Sequence, residues 1–305
     1  MRLSQPWNVE TLIDLHRHAL FNFYYMLDTI AWDIIYSLPP SRNSLEETWQ
    51  LMATYSDGVV YQSDYTRQRF ATRFRSAPET RHYICYHAFH VDEYVRPVPQ
   101  SSADHNEYLL VVGNWLDHKW MKETLDLLAT AFPFCSLKAL GCAKSLLPTV
   151  TALPGGSLPD REIDQLYANA RAIIVASFYE GFGFPVVKGL NYGKPVIARR
   201  SALLEELAVR CQAPGKLYAF EDPLELVKIV SKLLHAQPLE SLPLGQSLES
   251  GMEPMRWKDA AQQLMGILTS EIAAPQNSRW LARERALRWI IPKEDWPQID
   301  GNKRK

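Results

Sequence analysis

Four cysteines in 305 residues, none of them in a CxxC pair, give neither a disulfide framework nor zinc-ribbon spacing. Cys85, Cys135, Cys142 and Cys211 are therefore expected as free thiols, three of them in apolar runs that read as strands. Glycine (14) and proline (20) are too sparse for a collagen-like or low-complexity chain, and 47% hydrophobic residues exclude a disordered one. An excess of one charge sign is also missing. With 33 basic and 34 acidic side chains the net charge is -1, so no whole-molecule field recruits nucleic acid, and a phosphate ligand has to be held locally. The most apolar window, Phe21 to Leu38, has a bilayer's length but contains Asp28 and Asp33, each costing about 3 kcal/mol at the bilayer centre, so it is not expected to cross a membrane. The N-terminus lacks the basic start, long apolar run and small-residue cleavage site of a secretory signal, and a cytoplasmic protein is expected. There is no Asp-x-Asp metal motif and no repeat of fixed period. His82, His87 and His90 are not spaced as a helical metal pair with a third ligand and read as lone strand or loop histidines.

The length predicts two domains or one large one. From Glu107 onward, short apolar runs alternate with helix-period segments, as in βα units around a parallel sheet. YLLVVG (108–113) is a strand covered on both faces; Met121, Leu125, Leu128 and Phe132 form one helical stripe that Pro133 ends; CSLKALG (135–141) returns as a strand. Ser157 is read as the cap of a helix whose face holds Ile163, Leu166, Tyr167 and Ala170. AIIVASF (172–178) and PVIAR (195–199) are further strands, and 203–209 and 223–235 further helices. Residues 1–106 are less regular: SDGVVYQS, RHYICYHAF and the Phe21 to Leu38 run each offer a strand of a second sheet. The Pro- and Ser-rich stretch 95–107 is the expected boundary, which divides the chain into 1–106, 107–275 and a C-terminal helix with a basic tail, 276–305. In that last segment Arg279, Arg283, Arg285 and Arg288 are expected to form a solvated basic face, and the tryptophans to serve packing.

The chemistry is concentrated between Ala172 and Glu206. AIIVASF delivers Tyr179 and Glu180 to the C-terminal end of a strand, where open α/β sheets bind ligands. In the following GFGFP, Gly181 and Gly183 admit a ligand to the backbone, and Pro185 opens a helix whose free amides and positive dipole end favour an anion. A carboxylate beside a phosphate cradle repels phosphate, so its partner is a neutral hydroxylated group joined to that phosphate. A sugar diphosphate satisfies both demands.

VVGNWLDHKWMKETLDLLATAF and ANARAIIVASFYEGFGFPVVKGLNYGKPVIARRSALLEEL resemble the C-terminal half of the retaining glycosyltransferases of family 4, and YSDGVVYQSDYTRQRF and HAFHVDEY resemble the end of that family's acceptor domain. The stretch from Met1 to Leu20 matches no part of the family. The resemblance implies an α/β, GT-B-like fold of two Rossmann-like domains, the N-terminal one incomplete because only about 106 residues precede the donor half. It implies a donor loop of Gly181, Phe182, Gly183, Phe184 and Pro185, with Glu180 on hydroxyls of the transferred sugar and the amides of Gly183 and Phe184 on the diphosphate. Lys119 aligns with the cation that neutralises the leaving diphosphate; Gly113 and Asn114 precede it, Asn114 standing where many members carry a second cation. Glu205 aligns with an acid near the nucleotide. Lys188 stands where the family has an acid for the ribose, and Asp28 is an acceptor-side candidate preceded by Leu27 in place of the usual His.

The implied activity is transfer of a sugar, with retention and without a metal, from a UDP-, GDP- or dTDP-sugar to a saccharide or lipid-linked acceptor in surface polysaccharide synthesis. No cofactor is implied, and nucleic acid is not an expected partner. The missing N-terminal units imply an exposed sheet edge and hence self-association or a partner subunit. Together with Lys188 and Leu27 they also allow the alternative of a catalytically silent subunit on the same fold.

Overall fold

A computed structural model describes residues 1–34, 42–89, 108–144, 147–245, 255–273 and 279–290. These form two compact units, the first comprising Met1–Cys85 and the chain from Gln263 onward, the second Tyr86–Gln262.

In the first unit three short apolar runs become β1 (Phe23–Met26), β2 (Gly58–Tyr61) and β3 (Arg81–Ile84), paired in parallel in that order. Parallel neighbours need crossovers, supplied by α2 (Ile30–Asp33), α3 (Arg42–Tyr55) and α4 (Asp64–Ala71). Ser63 caps α4, its hydroxyl accepting from Thr66 N. Trp49, Met52, Phe70 and Phe74 pack against Tyr24, Met26, Val59 and Tyr61 in one core. Gly58 is required by close approach, since a Cβ there would lie 2.5 Å from the Phe23 ring. The stretch for which no element is expected contains α1 (Val9–His18), capped by Asn8, and Arg2 pairs with the outer side of β1: Arg2 N donates to Phe23 O (2.9 Å) and Tyr25 N to Arg2 O (3.0 Å). The chain thus covers part of the sheet edge expected to be bare.

The C-terminal segment also differs from expectation. In α11 (Trp280–Ile290), Arg285 and Arg288 are exposed, but Arg283 is 3% exposed and bound to Asp57, itself 1% exposed, at 2.9 Å. Arg283 also donates to Leu20 O, Tyr55 O and His16 Nδ1, while Arg279 N donates to the other Asp57 oxygen at 2.8 Å. Helical periodicity turns every third or fourth residue inward, and the inward arginines find a buried carboxylate and carbonyls. Helix α10 (Trp257–Ala273) sets Leu264 and Ile267 against Tyr25, Val60 and Cys85, and Glu271 pairs with Arg81. The described residues 263–273 and 279–290 thus belong to the first unit, with the N-terminal strands.

The second unit is built on six parallel strands in the order β6-β5-β4-β7-β8-β9. They are β4 (Tyr108–Val112), β5 (Ser136–Leu140), β6 (Val150–Leu153), β7 (Ala172–Val175), β8 (Pro195–Arg199) and β9 (Lys216–Phe220), of which β6 and β9 are additional to the sequence reading. The helices are α5 (Met121–Ala131), α6 (Asp160–Asn169), α7 (Phe184–Asn191), α8 (Ala202–Arg210) and α9 (Pro223–Leu234). Met121, Leu125 and Leu128 are buried as expected. Pro159, not Ser157, occupies the cap of α6; the Ser157 hydroxyl donates to Pro154 O.

The expected boundary at 95–107 lies outside the described residues. The compact units part after Cys85, because Tyr86–Phe89 is bound into the second unit: Tyr86 OH donates to Glu206 (2.6 Å), Phe89 N to Met255 O (2.9 Å) and Asn191 Nδ2 to Phe89 O (2.8 Å). Cys85, Cys135, Cys142 and Cys211 are free thiols, Cys135 half-buried and the others buried.

Candidate active site

The site lies at the C-terminal ends of β4, β7 and β8, the end of a parallel sheet where helix N-termini and strand-end loops converge. Gly113 follows β4, and Gly141 follows β5 in a left-handed conformation (φ 98°). A Cβ on Gly141 would lie 1.7 Å from Gly113 O, so the two strand ends meet only through glycine. The sequence reading did not single out Gly141, and its one signal was the glycine ending CSLKALG. Asn114 Oδ1 accepts from Leu116 N (3.0 Å), turning the chain into the tight 3-10 turn Asp117–Lys119. Trp120, at φ 51°, then starts α5 from a left-handed position that side-chain-bearing residues seldom adopt.

This turn aims Lys119 at the end of β7, and Phe178 N donates to His118 O at 2.7 Å, joining the two segments. Lys119 Nζ stands 2.7 Å from Glu180 Oε1, the side chains 16% and 21% exposed. The pair unites a residue after β4 with one after β7. His118, next to Lys119 in the chain, is buried; burial first, then the charge of Lys119, holds its imidazole below the ordinary 6.5.

Beyond Glu180, Gly183 (φ 87°) caps α7, and its Cβ would meet Leu207 at 2.9 Å. Val186 N makes the first bond back to Gly183 O (2.9 Å), so the amides of Gly183 and Phe184 precede the helical ladder and are the ones suited to an anion. Pro185, next in α7, brings no N–H of its own. Phe182 is buried and Phe184 is 46% exposed; His87 stacks on Phe184 (5.3 Å) and meets the edge of Phe182 (5.2 Å). Burial pushes the His87 pKa down to about 4, so it packs as a neutral ring. This support for the loop was not legible in the sequence.

Other expected site residues are engaged elsewhere. Lys188 Nζ is 2.8 Å from Asp164 Oδ1, over the Tyr167 ring. Glu205 pairs with Arg200 at 2.5 Å on the surface of α8. Asp28 lies in the first unit, its Oδ1 accepting from Ile30 N at 2.9 Å. His82 bonds Tyr61 OH (2.9 Å), His90 is outside the described residues, and among the described residues no group of three or more His, Cys, Asp or Glu gathers as a metal site. Nor is any helix there long and apolar enough to cross a membrane.

The fold is the α/β arrangement of the GT-B glycosyltransferases. It is similar to a sucrose-phosphate synthase from Thermosynechococcus elongatus (TM-score 0.63, 17% identity, covering 89% of this chain and 73% of that one). It is also similar to Anabaena Alr3699/HepE in complex with UDP-glucose (TM-score 0.59, 16% identity, 86% and 81% covered) and to WaaG, a glycosyltransferase involved in lipopolysaccharide biosynthesis (TM-score 0.54, 16% identity, 92% and 80% covered). Residues 143–243 match the family model Glycosyl transferases group 1. Over 117 residues the chain is 30% identical to an MMP alpha-(1->4)-mannosyltransferase of Mycolicibacterium hassiacum, and over 52 residues 40% identical to the O-antigen chain mannosyltransferase B of Escherichia coli. These matches take in 38% and 17% of this chain and span only 28% and 14% of those relatives.

Proposed function

We propose that the protein is a retaining, metal-independent glycosyltransferase of family 4 that transfers a hexose of the mannose class from a nucleotide sugar to a saccharide or lipid-linked acceptor in surface polysaccharide synthesis. The observation that carries this reading is the Lys119–Glu180 pair at 2.7 Å beside a left-handed Gly183 that opens a helix. One group suits a sugar hydroxyl, the other a diphosphate, and both stand by amides that suit an anion. The mannosyltransferase relatives support the sugar class, and the neighbour holding UDP-glucose supports a nucleotide-sugar donor.

In this reading the bond from the anomeric carbon to the diphosphate oxygen breaks while the acceptor hydroxyl oxygen bonds to that carbon on the same face. The hydroxyl proton leaves with the diphosphate. Glu180 orients the sugar, and Lys119 with the Gly183 and Phe184 amides stabilises the charge growing on the leaving group. The donor is a UDP-, GDP- or dTDP-sugar, and the work is done at the cytoplasmic side, by the chain alone or with a partner.

The test is incubation of the full chain with GDP-mannose, UDP-glucose and a dTDP-hexose, following nucleotide release and the anomeric configuration of the product by NMR. Release from one donor with retention supports the reading. Inversion removes the retaining assignment. No release, and no binding of any nucleoside diphosphate at millimolar concentration, favours the silent subunit, a second reading supported by Lys188 being held by Asp164 where the resemblance implies an acid.

A further inference from the structure

Arg199 closes β8, the strand beside β7, at the same sheet edge that carries Lys119 and Glu180. Among the described residues its guanidinium has no carboxylate partner. Nε donates to Ala176 O at 3.0 Å and Nη1 to Glu221 O at 3.2 Å, while the rings of Phe178, Trp120 and Phe220 lie 3.9, 4.5 and 4.9 Å from its central carbon. Nη2 is enclosed and has no acceptor among the described residues. Other cations of the second unit have carboxylate partners: Lys119 has Glu180 (2.7 Å), Lys188 has Asp164 (2.8 Å), and Arg200 has Glu205 (2.5 Å) and Glu221 (3.1 Å). Arg199 is not.

An arginine charge partly withdrawn from water and left with carbonyl dipoles and rings is costly to hold, and burial pulls its pKa below the ordinary 12.5. Two walls of its cage are Trp120, which directly follows Lys119, and Phe178, two residues before Glu180. The cage and the Lys119–Glu180 pair are thus built from the same two loops. Because Glu180 already balances Lys119, a dianionic diphosphate would meet no net positive charge from that pair. Arg199 adds it.

We infer that Arg199 is a second cation of the donor site, and that its enclosed, unbonded Nη2 binds the diphosphate of the donor when Phe178, the 45% exposed wall of the cage, turns aside. This rests on the nucleotide-sugar reading above. A guanidinium matches phosphate oxygens in a planar fork, and it stays charged throughout the working pH range.

The test is calorimetry of the full chain with UDP, GDP and inorganic pyrophosphate, and with uridine and guanosine as uncharged controls. Arg199→Gln is expected to weaken diphosphate binding about tenfold or more, the usual loss for a charge-assisted bond, and to leave any nucleoside binding within about twofold. Phe178→Ala, which opens the cage and keeps the charge, is expected to bind the diphosphate at least as tightly as the unaltered chain. A Phe178→Ala loss of more than about tenfold would mean that the ring, not the charge, holds the ligand, and would overturn the inference. An arginine side-chain NMR titration of the unaltered protein decides the matter even where Arg199→Gln fails to fold. The Arg199 Nε–H resonance, identified by its absence in Arg199→Lys, should shift with diphosphate and stay still with nucleoside. Diphosphate binding with an unmoved Arg199 signal, or an unchanged affinity in folded Arg199→Gln, overturns the inference alone. Absence of any diphosphate binding by the unaltered chain overturns it together with the nucleotide-sugar reading.

Discussion

Replacing Glu180 by glutamine removes one charge with almost no change of shape, and the ion pair makes its effect on the donor twofold. In the structure Lys119 Nζ is bound to the Glu180 carboxylate at 2.7 Å with both side chains mostly buried. A diphosphate binding to Lys119 has to share or displace that carboxylate. A charge-assisted bond contributes about 1.5–3 kcal/mol, and since about a fifth of each side chain remains in water the lower end of that range applies. Glu180→Gln should therefore free Lys119 and tighten UDP or GDP binding by about 1–1.5 kcal/mol, roughly five- to tenfold in Kd. Sugar transfer should fall about a hundredfold or more, because a neutral amide cannot hold the sugar hydroxyls as a carboxylate does. The assay is titration calorimetry with the nucleoside diphosphate beside steady-state turnover with the preferred donor, repeated for Lys119→Ala and the double variant. Lys119→Ala alone should weaken diphosphate binding, and in the double variant the gain from Glu180→Gln should vanish. Diphosphate binding in Glu180→Gln that is unchanged or weaker would refute the restraint of Lys119 by Glu180. Turnover within about threefold of the unaltered enzyme would refute the sugar contact.

Gly141→Ala should cost about 3 kcal/mol or more, since its φ is 98° and the new Cβ would meet Gly113 O at 1.7 Å; urea unfolding checks this, and a loss below about 1 kcal/mol would contradict the close approach. Arg283→Met leaves the buried Asp57 charge without its ion-pair partner, only backbone amides still donating to it, and should cost about 3–5 kcal/mol by the same measurement, with much of the loss recovered in the double variant Arg283→Met/Asp57→Leu. His87, held near 4 by burial, takes up its proton in the unfolded chain at a higher pH than in the folded one. Its contribution to stability is therefore complete above about pH 6.5 and is lost as pH falls toward 4, by on the order of 2 kcal/mol; His87→Phe should flatten that part of the stability curve. Lys188→Glu would set a carboxylate against Asp164 and should destabilise the second unit by about 1 kcal/mol, whereas Lys188→Glu combined with Asp164→Lys restores the pair; thermal unfolding separates the two.

Much of the second unit is legible in sequence because buried parallel strands are written as unbroken apolar runs. YLLVV and AIIV are runs of that kind, and the stripe of Met121, Leu125 and Leu128 has one periodicity. KLYAF and VTAL were not read as strands, because five and four residues with polar positions carry too little pattern until the neighbouring strand offers its edge. The same applies to α1 and α10, whose apolar residues find their purpose only against the first sheet and its core.

For the site, the local sequence already holds a carboxylate, two glycines and a proline opening a helix, the loop chemistry on which the proposed anion cradle rests. Which charges meet there was a tertiary decision. Lys119 and Glu180 are separated by 60 residues of chain and are brought together because β4 and β7 are neighbours in the sheet, an order that no local pattern encodes. The same folding sends Lys188 to Asp164 and Glu205 to Arg200, turns Arg283 from an expected surface face into a buried clasp on Asp57, and leaves Arg199 with rings and carbonyls in place of an acid. Sequence sets which side chains can carry charge; the packing of strands and helices sets which of those charges are neutralised before any ligand arrives, because pairing depends on distances of a few ångströms between elements far apart in the chain.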